Sequence, residues 1–138
     1  MLLENQLCFA LYSASLAMTK VYKPLLDELG LTYPQYLVML VLWEGDDLKV
    51  SEIGERLFLD SGTLTPLLKR LQGASLITRF RDAADERCLR IKLTADGRKL
   101  KPKSAMISSC IVRATQYSVD ELISLTREIK TLRMRLRS

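Results

Sequence analysis

Two apolar seams at opposite ends of the sequence constrain its fold more than any other feature. Leu7, Leu11, Ala14, Met18, Val21 and Leu25 recur at intervals of 4, 3, 4, 3 and 4, and Leu122, Leu125, Ile129, Leu132 and Leu136 at 3, 4, 3 and 4. A repeat of about 3.5 residues keeps one stripe of a long helix against a neighbouring helix. The first seam predicts a helix over about 5–28, kinked near its end by Pro24 and stopped by Gly30; the second predicts one from Ser118 to about 136. A chain of 138 residues supports a single domain and one core. Two such helices carry more apolar stripe than that core needs, and the excess predicts a symmetric homodimer with the seams at its interface.

Between the seams the pattern changes. Thr32 as N-cap and Pro34 in the first turn open a helix through Leu-Val-Met-Leu-Val-Leu-Trp to about residue 44, too apolar to be anything but core. A Gly-Asp-Asp turn at 45–47 leads to a short helix over 51–57, capped by Ser51. In the next helix Leu64, Leu67, Leu68 and Leu71 form the buried stripe. The opposite face presents Thr65, Pro66 and Lys69 flanked by Thr63 and Arg70, with Ser61 ahead of them. Pro66 lacks an N–H, so this helix is expected to start no more than about three residues before it or to have an irregular first turn. Small hydroxyls leading and cations following suit entry into a DNA major groove, against the alternative of a plain solvated face.

Ile77–Arg81 and Leu89–Leu93 both alternate apolar with polar and read as a hairpin whose tip is the seven residues between them. Arg79, Arg81, Arg90 and Lys92 fall on its polar sides. Arg87, near the tip, is placed to reach a minor groove or a phosphate, with Asp85 able to orient its guanidinium; an exposed arginine without a partner is the alternative. The fold class expected is therefore mainly α with a small β-hairpin: a winged helix-turn-helix over about 31–94. Thr94 caps a further helix to about 113, with Pro102 as an irregularity in it, so that dimerisation helices occupy about 5–28 and 95–137 of one domain spanning 1–138.

Charge sharpens this reading. Residues 1–68 carry four basic and nine acidic side chains, whereas 69–138 carry seventeen and seven. The net charge of +5 thus hides a strongly cationic half coinciding with the second helix of the motif, the hairpin and the helix after it, which suggests a polyanion partner. The chain has no histidine, which removes Ser-His-Asp and Cys-His catalysis and His-containing zinc sites. Its three cysteines, at 8, 88 and 110, have no C-x-x-C spacing and cannot pair fully, so no metal and no cofactor is expected. Glu4 precedes the first apolar run and no early Lys or Arg does, unlike a signal peptide, and no apolar run approaches the roughly 18 residues of a membrane span. A cytoplasmic protein with reduced thiols is expected.

The order of elements, and Asp-Glu-Arg-Cys-Leu-Arg-Ile-Lys-Leu-Thr-Ala-Asp-Gly at 85–97 with its Asp-x-Arg and Leu-Thr-x-x-Gly, resemble the MarR family of dimeric winged-helix regulators. Residues 4–15, 31–44 and 59–71 are similar to the organic hydroperoxide resistance regulators, and the resemblance covers nearly the whole chain. It implies a non-enzymatic repressor that binds a double-stranded palindromic operator through Ser61, Thr63, Thr65, Lys69 and Arg70, with Arg81, Asp85 and Arg87 on the wing. It also implies that an organic hydroperoxide is the signal and Cys8 the sensor. Cys8 sits in the first turn of its helix, where unpaired N–H groups and the macrodipole favour negative charge; a small buried hydrophobe is the ordinary alternative for a cysteine.

The resemblance associates two tyrosines with the sensing thiolate, matching Tyr22 and Tyr33, and a third that rearranges on oxidation, matching Tyr12. Tyr22 is about 21 Å along the helix from Cys8, so its partner thiol has to come from the other subunit. Cys110 lies where the resemblance places a resolving cysteine; Cys88 has no counterpart and reads as exposed and incidental. Two other classes stay open: a regulator of the same fold released by a small phenolic or carboxylic ligand between the dimer helices, and a thiol peroxidase using Cys8.

Overall fold

The computed structural model describes residues 1–138. A single 3-10 turn at Leu3–Asn5 precedes α1 (Leu7–Asp27), followed by α2 (Tyr33–Glu44), β1 (Leu48–Lys49), α3 (Val50–Leu57), α4 (Ser61–Gly73), β2 (Ile77–Arg81), β3 (Leu89–Leu93), α5 (Ala95–Thr115) and α6 (Val119–Arg137). No helix is long and apolar enough to cross a membrane. The winged helix-turn-helix is present as expected, with one addition. β1, only two residues long, pairs antiparallel with β3 (Leu48 opposite Ile91), giving a three-stranded sheet in the order β1-β3-β2. Two residues carry too little alternation to signal a strand. The hairpin itself spans the expected residues, with Ile77 opposite Leu93 and Arg81 opposite Leu89.

Local chemistry explains most boundaries. Thr32 caps α2 in a reciprocal box: its backbone N–H donates to Gln35 Oε1 (3.0 Å) and Gln35 N–H donates to Thr32 Oγ1 (3.4 Å). Gly30, at φ +70°, supplies the left-handed turn between α1 and α2. Ser118 and Glu121 repeat the box at the start of α6. Two boundaries differ from the sequence expectation. α3 begins at Val50, not Ser51: its cap is Lys49, whose N–H donates to Glu52 Oε1 (3.0 Å), because pairing of β1 fixes the chain in extended form up to Lys49. α4 begins at Ser61, five residues before Pro66 and earlier than Pro66 was expected to permit. The proline deprives only the Gly62 carbonyl of its helical donor, and Gly62 is exposed, where water can replace that bond.

The core lies where α2 crosses the motif. Val38, Met39, Leu42, Ile53, Leu64, Leu68, Leu71, Ile77 and Ile91 are buried together. The expected stripe of α4 is intact, since all four of its leucines are buried. Each such side chain contributes about 1.5–3 kcal/mol on burial, so α4 is held rigidly by one face and free on the other.

One tight junction ties this core to the long helices. Thr94 Oγ1 donates to the Ser75 carbonyl (2.7 Å) and accepts from Gly97 N–H (3.0 Å), while Thr94 N–H donates to the Leu76 carbonyl. Trp43 Nε1 reaches the Gly97 carbonyl (3.0 Å). A Cβ on Gly97 would collide with the Leu76 carbonyl oxygen, which is the physical content of the Leu-Thr-x-x-Gly spacing.

The two seams behave differently from the core. Leu7, Met18 and Val21 of the α1 seam, and Leu125, Ile129 and Leu136 of the α6 seam, are all at least 40% exposed; Leu11, Leu25, Leu122 and Leu132 are half-buried, and no residue of α6 is buried. Leu26 is the one buried residue of α1, with Tyr22 and Leu25 packed half-buried against the core.

Replacing Gly97 by Ala is expected to lower stability by roughly 1–3 kcal/mol, read as a lower urea midpoint. Gly45→Ala, where an added Cβ has nothing within 4 Å, should leave the midpoint within experimental error.

Candidate functional site

The exposed face of α4 carries the residues that the sequence singled out. Ser61, Thr63, Lys69 and Arg70 are exposed and Thr65 is half-buried. The first turn is cradled by Asp60, whose carboxyl is held below the usual carboxylate range by the Thr63 hydroxyl. α3 approaches α4 closely at Gly54, where a Cβ would lie 2.9 Å from the Leu59 carbonyl oxygen, so the helix-turn-helix angle is fixed by the absence of a side chain there.

At the wing, Asp85 grips Arg87 from both sides of its carboxylate: Nε to Oδ1 at 3.1 Å, NH2 to Oδ2 at 3.3 Å, and the Arg87 backbone N–H to Oδ1 at 3.1 Å. The guanidinium lowers the Asp85 carboxyl, and its own side chain stays 91% exposed, aimed and available. Arg81 donates to the Glu86 carbonyl (3.3 Å), closing the base of the tip.

Not every cation on the hairpin is free. Arg90 is bound by Asp47 Oδ1 (2.8 Å), the Asp47 carbonyl (2.6 Å) and Asp82 Oδ2 (3.1 Å), and joins the wing to the turn after α2. Arg79 donates to Gln72 of α4 (2.6 Å). Both act as internal struts. Cys88 also departs from expectation. It is half-buried, not exposed, and its Sγ lies 3.6 Å from Asp85 Oδ2 while its backbone closes the turn to Asp82 and Asp85.

An open cleft of about 900 Å³ runs between the motif and the wing. It brings Ser61, Thr65 and Arg87 together with Lys49, and leaves Thr63, Lys69, Arg70 and Arg81 outside its walls. Lys49 went unnoticed in the sequence because its position depends on the two-residue strand β1.

The thiols occupy the other end of the fold. Cys8 is exposed, at the second position of α1, and Gln6 provides no side-chain cap to the first-turn N–H groups. It is not a buried hydrophobe in this chain. Tyr12 is 64% exposed beside it on the helix. Cys110 is half-buried on α5. Met18 and Val21 of α1 line the same small cavity as Ile111 of α5. Cys110 is therefore level with a point ten or more residues past Cys8, about 15 Å along α1, against the roughly 4.4–6.8 Å between Cα atoms that a disulfide permits.

Tyr22 and Tyr33 meet with ring centroids 4.8 Å apart, and Tyr36, which the sequence did not single out, completes a cluster at 6.0 and 6.4 Å. Burial, with the neighbouring Tyr33 and Tyr36 rings, pushes Tyr22 up to about 12; burial also raises Tyr33 and Tyr36, the latter opposed by the Ser108 hydroxyl. These phenols stay protonated and are hydrogen-bond donors. Because the folded value of Tyr22 lies above its ordinary 10.0, its contribution to stability is complete below pH 10 and is lost as pH rises through about 12. Alkaline phenolate titration followed by ultraviolet absorbance should show a late step near that pH that disappears in Tyr22→Phe.

Comparison with known proteins places this arrangement. Residues 20–103 match the family described as transcriptional regulator SarA/Rot. The organic hydroperoxide resistance transcriptional regulator of Bacillus subtilis is 53% identical over 132 residues, 96% of this chain and 90% of that protein. The reduced, DNA-bound structure of AbfR, a protein known from Staphylococcus epidermidis, superposes with a TM-score of 0.81 at 35% identity, covering 99% of this chain and 95% of that one. The disulfide form of AbfR gives 0.70 at 38% identity, covering 94% and 91%. The chain belongs to the organic hydroperoxide resistance regulators of the MarR type, and it is a winged-helix DNA-binding transcriptional regulator rather than an enzyme.

Proposed function

We propose that two copies of this chain form a repressor that an organic hydroperoxide releases from a palindromic operator. The observation that carries the reading is the state of α1: an exposed thiol at its start, an uncovered apolar seam along its length, and a protonated tyrosine cluster near its far end. Packing the α1 and α6 seams of two copies together buries those side chains at about 1.5–3 kcal/mol each. An antiparallel or crossing α1 from the second copy brings Tyr22 and Tyr33 of one subunit to Cys8 of the other, a meeting that a single chain does not permit. Hydroxyl donors at that point stabilise negative charge on sulfur.

In the reduced dimer, Ser61, Thr63, Thr65, Lys69 and Arg70 enter the major groove, and Arg87, oriented by Asp85 and flanked by Arg81, follows the adjacent minor groove or backbone. Two α4 helices related by a two-fold axis read half-sites about one helical turn apart. The greater likeness to the reduced DNA-bound relative than to the disulfide one supports reading this conformation as the binding-competent one.

The chemistry of release balances without a cofactor. The Cys8 thiolate attacks the distal oxygen of ROOH; the S–O bond forms, the O–O bond breaks, and the alkoxide leaves as ROH after taking a proton. Sulfur is oxidised by two electrons to sulfenic acid. The Cys110 thiol of the other subunit then attacks that sulfur; the S–S bond forms, the S–O bond breaks and water leaves. The distance between Cys8 and Cys110 within one chain supports an intersubunit bond. Drawing α1 toward α5 of the other copy repacks the seams, and Tyr12, exposed one turn from Cys8, moves with it. The Thr94–Gly97 junction carries that movement to α4 and the wing.

A ligand-released regulator is less well supported: the cavity between α1 and α5 is about 180 Å³, below the roughly 300–1,000 Å³ of typical small-molecule sites.

In a gel-shift assay, parent dimer is expected to lose its operator on adding organic hydroperoxide and regain it with a thiol reductant, while Cys8→Ser stays bound throughout. Retained binding by the oxidised parent, or peroxide release of Cys8→Ser, would sink the switch. Arg87→Ala should weaken operator binding roughly tenfold in the same assay.

A further inference from the structure

We infer that the last turn of α6 belongs to the nucleic-acid interface, with Arg137 contacting a DNA phosphate from a seat formed by the Phe58 ring. The inference rests on the placement of α4 and the wing against DNA proposed above, and extends that surface to an element otherwise assigned to the dimer.

Phe58 is the starting point. It ends α3 at φ 58° and ψ 36°, a left-handed conformation where glycine is usual and a bulky residue is strained. Its ring is 45% exposed, so core burial does not explain its presence there. What the ring does touch is two cations: the guanidinium carbons of Arg133 and Arg137, one helical turn apart on α6, stand 4.1 and 4.8 Å from its centroid. An aromatic face attracts a guanidinium through its charge and uses none of its N–H donors.

Neither arginine has a carboxylate within ion-pair distance, whereas Arg56, Arg87 and Arg90 all do. Two like charges gathered on one ring with no counter-ion repel each other, and an anion placed between or beside them removes that repulsion. The position of Arg137 names the anion. It lines the same open cleft as Ser61 and Thr65 from the start of α4 and Arg87 from the wing, with Lys49 between them. Glu55 and Asp60 line the cleft as well, on the α3–α4 side. A strand whose base edges meet α4 and whose flank meets Arg87 runs its phosphates past that mouth. Such a contact is indifferent to base sequence, because it is made to the backbone.

The signal was partly present in the sequence: Arg133 and Arg137 are spaced i, i+4, but nothing in the chain order brings the end of the last helix back to the turn between α3 and α4.

The test is the salt dependence of binding, measured by fluorescence anisotropy with reduced dimer on the operator duplex and on an unrelated duplex. Arg137→Ala, which removes one arginine from each subunit of the dimer, is expected to weaken both duplexes by the same factor and to reduce the slope of log affinity against log salt by about 2. Phe58→Gly removes the ring while favouring the left-handed turn, so thermal stability should hold or rise; affinity should nevertheless fall, and the double variant should bind no worse than Arg137→Ala alone. A parental slope in Arg137→Ala, with Arg87→Ala still lowering it, overturns the α6 contact alone. Parental slopes in Arg87→Ala and Arg137→Ala together overturn the placement of the whole surface. Parental affinity in Phe58→Gly overturns the seat.

Discussion

The fold turns on the junction at Thr94–Gly97. There α5 starts against the carbonyl of Leu76 at a distance only glycine tolerates, with Thr94 bonded to Ser75 and Leu76 and with Trp43 of α2 locked onto the Gly97 carbonyl. The reading head and α5 thus move as one piece from this point outward. In the proposed switch, small changes at the far end of α5 become changes in the attitude of α4 and the wing, because a packed core does not deform continuously.

The wing is stiffened by a different device. Arg90 spans Asp47 and Asp82, and Asp85 aims Arg87, so the hairpin holds its shape through charge-assisted bonds instead of a core of its own. Of the hairpin arginines, the structure separates those that build the wing from those that face outward. Arg79 and Arg90 are struts, and Arg87 is the extended finger. A basic stretch in a sequence mixes the two roles, and only partners distant in the chain tell them apart.

Much of the molecule was legible in its sequence for local reasons. The 3.5-residue seams, the Thr32 and Ser118 caps, the apolar stripe of α4 and the alternation of β2 and β3 each depend on residues a few positions apart. Expectation and structure part where the cause is remote. Pairing of Leu48 with Ile91 moved the start of α3, an exposed Gly62 let α4 begin earlier than Pro66 suggested, and Asp85 drew Cys88 out of solvent. Tyr36, which the sequence did not single out, is a third member of the tyrosine cluster, a fact visible only once α1 and α2 are packed. The cleft that gathers Lys49, Ser61, Thr65, Arg87 and Arg137 draws on four separate segments of chain.

The central claim is that a thiol of one subunit acts on a thiol of the other. It is tested most directly in a purified heterodimer carrying Cys8→Ser in one subunit and Cys110→Ser in its differently tagged partner, where one Cys8/Cys110 pair survives across the interface and none within a chain. An intersubunit switch predicts that hydroperoxide converts this heterodimer to a covalent dimer on a non-reducing gel and frees the operator. Separate monomers on that gel, with the operator still bound after oxidation, would contradict it.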